Sequence, residues 1–329
     1  MRRWLRRVGI ALLALLLLGA GFIAIQWQRR PALEVYAPLT LPEASTASLV
    51  RVRFAGVATL LFDDGETAWM TDGFFSRPPL SSLAFSKIGP DDAAIDRELK
   101  HLGVTRLAAV VPVHSHYDHA MDSPRVAQRT GALLIGSAST LNIGRGLGLA
   151  EDRMREVKPG EIVRLGKFKL TFIASRHSPT LFTDGNTPET VDTPLVPPAR
   201  AMAWREGQTW SLLVEHASGT RMLVQGSAGY VRGVLKGRQA DTVFLGVGTL
   251  GTKSRAYREK YWNEVVKTVG AKRVIPIHWD AFWLPLTEPL QAMPMLVDDF
   301  ETSMADLQRL GARDGVEIRM APTFTPFAP

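Results

Sequence analysis

The chain has 329 residues, of which 46% are hydrophobic and 22% charged, the ordinary composition of a globular protein with a full core. Six arginines among the first 30 residues supply most of the formal net charge of +7, so the remaining chain is close to neutral. A near-neutral body lacks the basic surface that nucleic acid requires, and we expect no nucleic-acid partner. The chain contains no cysteine, so nitrogen and oxygen ligands alone can hold a metal.

The N-terminus carries a long uncharged run, from Val8 to Gln28. As a helix it spans about 30 Å, the thickness of the hydrocarbon core of a bilayer. The arginines that precede the run favour a cytoplasmic N-terminus, and Trp27 suits a membrane interface. We therefore expect residues 1–30 to form a single-pass anchor in the cytoplasmic membrane, with the remaining chain in the periplasm. A cleaved signal peptide followed by secretion is the alternative.

Residues 31–47 are rich in Pro, Ser and Thr and are predicted to link this anchor to one domain over residues 48–329. Helical spacing of apolar residues predicts helices over 91–102, 257–269 and 298–310. Strands come first in meanders and later alternate with helices, which predicts an α/β fold of two sheets covered by helices. The predicted strands cover residues 49–54, 58–62, 68–71, 107–113, 168–174, 211–215, 221–225, 242–247 and 273–277.

The most informative motif follows the predicted strand over 107–113. His114, His116, Asp118 and His119 lie within six residues there. Imidazole and carboxylate are standard ligands for a borderline divalent metal, and four polar side chains this close are difficult to explain by packing. A histidine-rich polar loop is the alternative interpretation. The cluster therefore predicts a metal site at the end of a strand.

Two further histidines, His177 and His278, each follow a predicted strand, and either one alone is more readily interpreted as a hydrogen-bonded or surface residue. Together with the cluster they resemble the metallo-β-lactamase superfamily, whose fold is an αββα sandwich. The resemblance implies zinc as the metal, in one or two ions, with manganese or iron as alternatives. It implies one metal site formed by His114, His116 and His177, and a second formed by Asp118, His119 and His278.

The resemblance also implies hydrolysis by a metal-activated hydroxide, with Asp118 as the catalytic carboxylate. One position departs from the family pattern, because Ser227 stands where an Asp bridges the two metals. A serine hydroxyl is a weak neutral ligand, so we expect weaker binding of the second ion or a substitute donor. Asp280 is the better substitute by position, and Asp241 the poorer one.

Three segments are similar to a narrower branch, which includes N-acylphosphatidylethanolamine-hydrolysing phospholipase D and L-ascorbate lactonase-like proteins. They are residues 70–77, 277–282 and 286–289. Within them, Asp72 is equally expected to orient a metal-bound histidine or to serve as a turn residue. Trp279 and Trp283, near His278, are predicted to line a substrate pocket.

Other residues have simpler interpretations. His101 and His216 lie at a helix end and a turn, which predicts solvated side chains. The Pro- and Thr-rich stretch over 178–200 is long enough to suggest a mobile lid.

The sequence leaves three hypotheses about function. The leading one is a membrane-anchored, metal-dependent hydrolase of an ester-type bond, with a phosphodiester or lipid-like substrate favoured over other small molecules. A lactonase or β-lactamase-like hydrolase is the second. The third is a metal-binding or scaffold protein whose active site has partly decayed at Ser227.

Overall fold

Two β-sheets pack face to face, and helices cover their outer faces. The computed structural model describes residues 2–179 and 188–329. Its strands are β1 (Arg51–Phe54), β2 (Leu60–Asp63), β3 (Ala68–Thr71), β4 (Ala109–Val111), β5 (Leu133–Gly136), β6 (Met154–Glu156), β7 (Ile162–Leu165), β8 (Phe168–Ser175), β9 (Thr209–His216), β10 (Arg221–Gln225), β11 (Thr242–Gly246), β12 (Arg273–Ile277) and β13 (Glu317–Ile318). Its α-helices are α1 (Arg2–Gln28), α2 (Leu80–Phe85), α3 (Asp92–His101), α4 (Tyr117–Ala120), α5 (Ser123–Thr130), α6 (Ala138–Gly146), α7 (Arg255–Trp262) and α8 (Phe300–Asp314). The α/β sandwich that the sequence predicts is therefore confirmed.

The first sheet follows chain order from β1 to β6, and the second runs from β13 back to β7. In the first sheet β3, β4, β5 and β6 are parallel to one another, while β1, β2 and β3 form an antiparallel meander. In the second sheet β10 to β13 are parallel, while β7 to β10 are antiparallel. The strands β8, β10, β11 and β12 therefore end at the same edge of their sheet.

The alternation of side chains along each strand divides the core into layers. Leu60 and Phe62 of β2 belong to the large cluster between the sheets, whereas Leu61 points outward. On that outer face it joins apolar residues of α3, α5 and α6, which cover the first sheet. On the second sheet, α7 and α8 are held by buried residues such as Trp262 and Leu307.

The predicted strands over 68–71, 221–225 and 273–277 are confirmed residue for residue. The predicted helix over 257–269 begins earlier, at Arg255, and continues after α7 as a π-helical turn over Asn263–Lys267. No element was predicted between residues 122 and 165, where the structure has α5, β5, α6, β6 and β7. Those strands were missed because each has only three or four residues. Helix α6 was missed because it is rich in Gly, Ser, Thr and Asn, which are weak helix formers; Ser137 caps its N-terminus.

Helix α1 is long and apolar enough to cross a membrane, by length and composition. Its C-terminal end contacts the folded body, because Trp27 packs on Trp283 with ring centroids 6.2 Å apart. The residues just after the helix are also held, since Met295 N donates to Arg29 O at 2.9 Å. The predicted linker over 31–47 starts with a 3-10 helix over Leu33–Leu39, and its Leu41 N donates to Met320 O.

The contact between the two sheets depends on Phe62, which generates a prediction. Its ring stacks on Trp69 at 4.4 Å and meets Phe244 of the opposite sheet edge-on at 5.8 Å. Phe62→Ala should lower the free energy of unfolding by about 3–5 kcal/mol, because it leaves a cavity between the sheets. Denaturant unfolding of the detergent-solubilised chain measures this. Phe85→Ala is the control, since Phe85 is 82% exposed and its loss should change stability by less than about 0.5 kcal/mol. Equal effects of the two changes would contradict the assignment of Phe62 to the core.

Candidate metal centre

Strand ends from both sheets deliver the candidate residues to one place. His114 follows β4 of the first sheet, whereas His177 and His278 follow β8 and β12 of the second. The turn after β4 then starts the short helix α4, which carries Asp118 and His119. The structure brings all six predicted ligands together in two sets of three, and within each set the donor atoms lie within 4.8 Å of one another.

The first donor group consists of His114, His116 and His177. His114 Nε2 lies 3.0 Å from His116 Nδ1. The ring of His177 stands edge-on to both, with centroids 5.0 Å and 4.7 Å away. His177 Nδ1 contacts Ser178 O at 2.8 Å, and since a carbonyl oxygen only accepts, Nδ1 carries the proton. The lone pair of His177 is therefore on Nε2.

The second donor group consists of Asp118, His119 and His278. His119 Nδ1 donates to Asp72 Oδ2 at 2.7 Å, which leaves the lone pair of His119 on Nε2. That Nε2 lies 3.2 Å from His278 Nε2, and His278 Nε2 lies 3.3 Å from Asp118 Oδ2. The two groups adjoin each other, because the rings of His114 and His119 are only 4.0 Å apart.

Burial and mutual repulsion keep the first donor group neutral. Burial lowers the pKa of His114 well below its usual value, and it lowers the pKa of His116 to about 4 and that of His177 to about 3. In the second group, burial lowers the pKa of His119, but the charges of Asp72 and Asp118 outweigh burial and raise it overall. Burial raises the pKa of Asp118, but His119 and His278 outweigh it and hold that pKa well below its usual value.

These residues fit a divalent cation. The adjoining ring nitrogens of His114 and His116 can share one N–H proton or a cation, and burial disfavours the additional proton that would make either ring positively charged. In the second group, one carboxylate and two imidazole nitrogens converge with one tautomer already fixed by Asp72. Neutral imidazoles and an ionised carboxylate are the forms that bind metal, so a cation in the second group would displace the second proton that Asp72 and Asp118 favour on His119. Asp72 thus occupies the orienting position, one of the two roles expected for it.

Ser227, the residue that the resemblance aligns with a bridging carboxylate, lies in the loop after β10. It lines the cavity as a residue that is only 5% exposed, and its Oγ accepts a hydrogen bond from Ser178 N at 2.9 Å. The loop approaches the first donor group closely. A Cβ on Gly229 would lie 2.3 Å from His177 O, so only glycine fits there.

The two proposed substitute donors have other partners. Asp280 is fully buried, and it accepts hydrogen bonds from Val57 N and Arg77 Nη2, each at 2.7 Å. Val57 O in turn accepts from His278 N at 2.7 Å. Asp280 therefore supports the backbone of His278 instead of replacing the bridging ligand. Asp241 pairs with Arg221 at the start of β11, at the opposite end of these strands.

The segment over 70–77, singled out by resemblance, supports the site from behind. Beyond Asp72, the amides Phe75 N and Ser76 N both donate to Asp122 Oδ2 at 2.7 Å. Arg77 then forms the buried pair with Asp280. The roles of Arg77 and Asp122 were not predicted from the sequence, because they depend on partners 203 and 46 positions away. An Arg directly before two prolines was the one signal in the sequence.

A cavity of about 590 Å³ opens over the two donor groups. Its walls are largely apolar, with Trp204, Phe282 and Met293 among the lining residues. Trp279 and Trp283 were predicted to line it, and this is wrong. Trp279 is 4% exposed and packs on Phe54 between the sheets, while Trp283 faces the N-terminal helix. The left-handed backbone of His278 (φ 61°) redirects the chain at this point.

The remaining histidines lie outside the site. His101 is exposed as predicted, with 55% of its side chain accessible. His216 is buried instead of solvated, because its ring contacts Asp64 Oδ2 at 3.1 Å across the two sheets.

The suggested lid over 178–200 includes residues 180–187, which lie outside the described residues. Its later part is held against α6, where Val191 O accepts from Asn142 Nδ2 at 2.7 Å.

An αββα sandwich with paired His and Asp groups at the ends of its strands defines the metallo-β-lactamase fold class. A family model described as "Beta-lactamase superfamily domain" matches residues 89–279, more than half of the sequence. The chain therefore belongs to the β-lactamase superfamily. No curated protein matches it.

Solved structures with the same fold are distant in sequence. A possible metal-dependent hydrolase from Veillonella parvula is 12% identical, with a TM-score of 0.52 over 86% of this chain and 100% of that one. CmlA, a diiron β-hydroxylase from Streptomyces venezuelae, is 13% identical, with a TM-score of 0.51 over 87% of this chain and 55% of that one. At such identities these likenesses show the fold.

The ion pair behind His278 generates a prediction. Arg77→Met should lower the free energy of unfolding by about 3–5 kcal/mol, because it leaves the carboxylate of Asp280 buried without its countercharge. Denaturant unfolding checks this. Arg53→Met is the matched control, since Arg53 is partly exposed and 3.9 Å from Asp63, and its loss should cost less than about 1 kcal/mol. An Arg77→Met protein as stable as the control would contradict the supporting role of the pair.

Proposed function

We propose that this protein is a membrane-anchored, metal-dependent hydrolase of an ester-type bond, acting on a phosphodiester or lipid-like substrate. The observation that carries the proposal is the pair of adjoining donor groups at the base of a largely apolar cavity. Membership of the β-lactamase superfamily supports a hydrolase in general. The 70–77 and 277–282 segments support the phospholipase-D-like branch.

Within this proposal the first donor group holds one ion and the second donor group holds another. Zinc suits ligands of imidazole and carboxylate, and iron or manganese would also accept them. When bound, such ions polarise the scissile group and lower the pKa of water, so that hydrolysis requires no protein nucleophile. The chain's own residues orient the donors, through Asp72 at His119 Nδ1 and Ser178 O at His177 Nδ1.

Asp118 is the proposed catalytic carboxylate. It lines the cavity and stays ionised, since His119 and His278 hold its pKa low. An ionised carboxylate there accepts a hydrogen bond from the attacking water and orients it toward the substrate. Trp204, Phe282 and Met293 exclude bulk water from the same space and favour an apolar substituent near the scissile bond.

The anchor in this proposal is α1, which places the catalytic domain in the periplasm because of the arginines before its apolar run. Two arginines, Arg29 and Arg30, follow the run and four precede it, so the charge asymmetry across the helix is the difference between four positive charges and two. The absence of cysteine is compatible with an oxidising compartment.

The proposed ligands generate a prediction. Replacing His114 and His116 together by Ala removes two of three donors, so we expect bound metal in the first group to fall at least ~10-fold and hydrolysis of bis-p-nitrophenyl phosphate at least ~100-fold. Metal analysis and steady-state assays on the purified full chain measure both. His101→Ala is the control, since His101 lies outside the cavity. Full hydrolysis by the double variant would refute the proposal, and a parallel panel of lactones and β-lactams separates the competing substrate class.

Ser227 generates a second prediction. Ser227→Asp should raise the affinity for the second ion by ~10-fold or more, because it restores a charge and a shared ligand. Titration of the metal-stripped protein with zinc measures the two affinities. Ser227→Asn is the control, with similar size and no charge. If the natural protein binds no metal and only Ser227→Asp does, the site has decayed and the protein is not a hydrolase.

A further inference from the structure

The C-terminal end of α1 is attached to the wall of the active-site cavity. Trp27 packs on Trp283, and Arg30 Nη1 donates to Ala292 O at 2.6 Å. Together with the bond from Met295 N to Arg29 O, these contacts hold the helix end against residues 283–295. The apolar helix therefore contacts the catalytic domain directly, with no flexible spacer between them.

The length of α1 fixes how deep these contacts lie. The uncharged run over residues 8–28 spans about 30 Å, which leaves Trp27 at the boundary of the hydrocarbon core. The headgroup layer on each side is only about 5–7 Å thick. Residues in contact with Trp27, such as Trp283, therefore lie within or beside that layer.

The apolar cluster around Trp27 and Trp283 extends to the cavity. Trp27 and Trp283 belong to an apolar cluster that also contains Phe282, Met293 and Val297. Those last three residues form part of the cavity wall over the two donor groups. One layer of side chains thus separates the helix end from the cavity.

Large apolar side chains around this wall are exposed. Phe85 is 82% exposed and ends α2, whose Leu80 and Leu83 belong to the same cluster as Trp27. Met202 lines the cavity and is 83% exposed, and Leu296 is 50% exposed. We call Phe85, Met202 and Leu296 the apolar rim.

Two segments of the rim lie side by side and carry cations. Ile88 N donates to Ala199 O at 2.7 Å, which joins the segment after α2 to the one before Met202. Exposed Lys87 and Arg200 flank this junction. Exposed apolar residues beside cations match the interface of an anionic bilayer, where the apolar parts enter and the cations meet headgroups.

We propose that the apolar rim is a membrane-binding surface, seated in the headgroup layer of the bilayer that α1 crosses, so that the cavity opens onto lipid. Docking of Trp27 on Trp283 sets this orientation. The inference rests on the proposed anchoring by α1. It assigns the catalytic domain one fixed face toward the membrane, in place of free rotation at the end of a linker.

The absence of cysteine allows a direct test, because single cysteines can be introduced into the full chain and labelled with a polarity-sensitive fluorophore. The variants are Phe85→Cys, Met202→Cys and Leu296→Cys, reconstituted in vesicles of phosphatidylethanolamine and phosphatidylglycerol. Ala217→Cys is the control, because it is exposed at the β9–β10 turn, at the end of the strands opposite the site. We expect brominated lipid to quench each rim label at least about twice as strongly as the control label.

The helix contact is tested in the same vesicles. Trp27→Ala in the Met202→Cys background should reduce lipid quenching to about the control level, because the docking contact is lost. Trp4→Ala is its control, since Trp4 is exposed near the other end of α1. Rim labels that are quenched by aqueous iodide alone, or shielded from both quenchers by a protein partner, would overturn the proposal.

Two readouts keep this test separate from the proposed function. Vesicle flotation reports whether α1 anchors the chain. If the chain does not float with the vesicles, the proposal of a membrane-binding surface is overturned. Hydrolysis of soluble bis-p-nitrophenyl phosphate reports the metal site and does not require a bilayer. Retained hydrolysis with water-exposed rim labels refutes the membrane surface alone.

Discussion

Five strands from two different sheets end at one edge of the sandwich, and the site depends on that convergence. β3 and β4 end there in the first sheet, and β8, β10 and β12 in the second. Each strand end delivers one or two polar residues to the same buried space. Because the strands are packed through a continuous apolar core, these residues cannot move apart. The scaffold therefore holds the donor atoms close together, in an arrangement that fits a cation.

Hydrogen bonds behind the donors convert that crowding into a specific arrangement. Asp72 fixes the tautomer of His119, and Ser178 O fixes that of His177. The second donor group has carboxylates on two sides, whereas the first has imidazoles alone. Ser227 is uncharged and adds no carboxylate to either group, so the two groups differ in electrostatic character. We expect this asymmetry to give them unequal affinities for a metal ion.

Local patterns predict the parts of this molecule that local physics determines. The strands over 68–71, 221–225 and 273–277 were predicted from apolar runs alone. The candidate metal site was predicted from the histidine cluster, because such a motif is rare. Asp280 illustrates what local patterns miss, since its carboxylate is used by Arg77 and Val57, far away in sequence. His216 was misjudged for the same reason, because its partner Asp64 lies in the other sheet. Charge, spacing and neighbours identify a titratable residue, but its partner is decided by topology.

The backbone of His278 has a consequence for the stability of the protein. Its φ of 61° is left-handed, a conformation that costs a non-glycine residue about 1–3 kcal/mol. Glycine or asparagine would adopt the same turn with less strain. Either replacement would relieve this strain and would also remove an imidazole from the second donor group. The turn is held by Val57 O, which accepts from His278 N, and by Asp280, which accepts from Val57 N, so the folded body keeps the imidazole in place at a cost in stability.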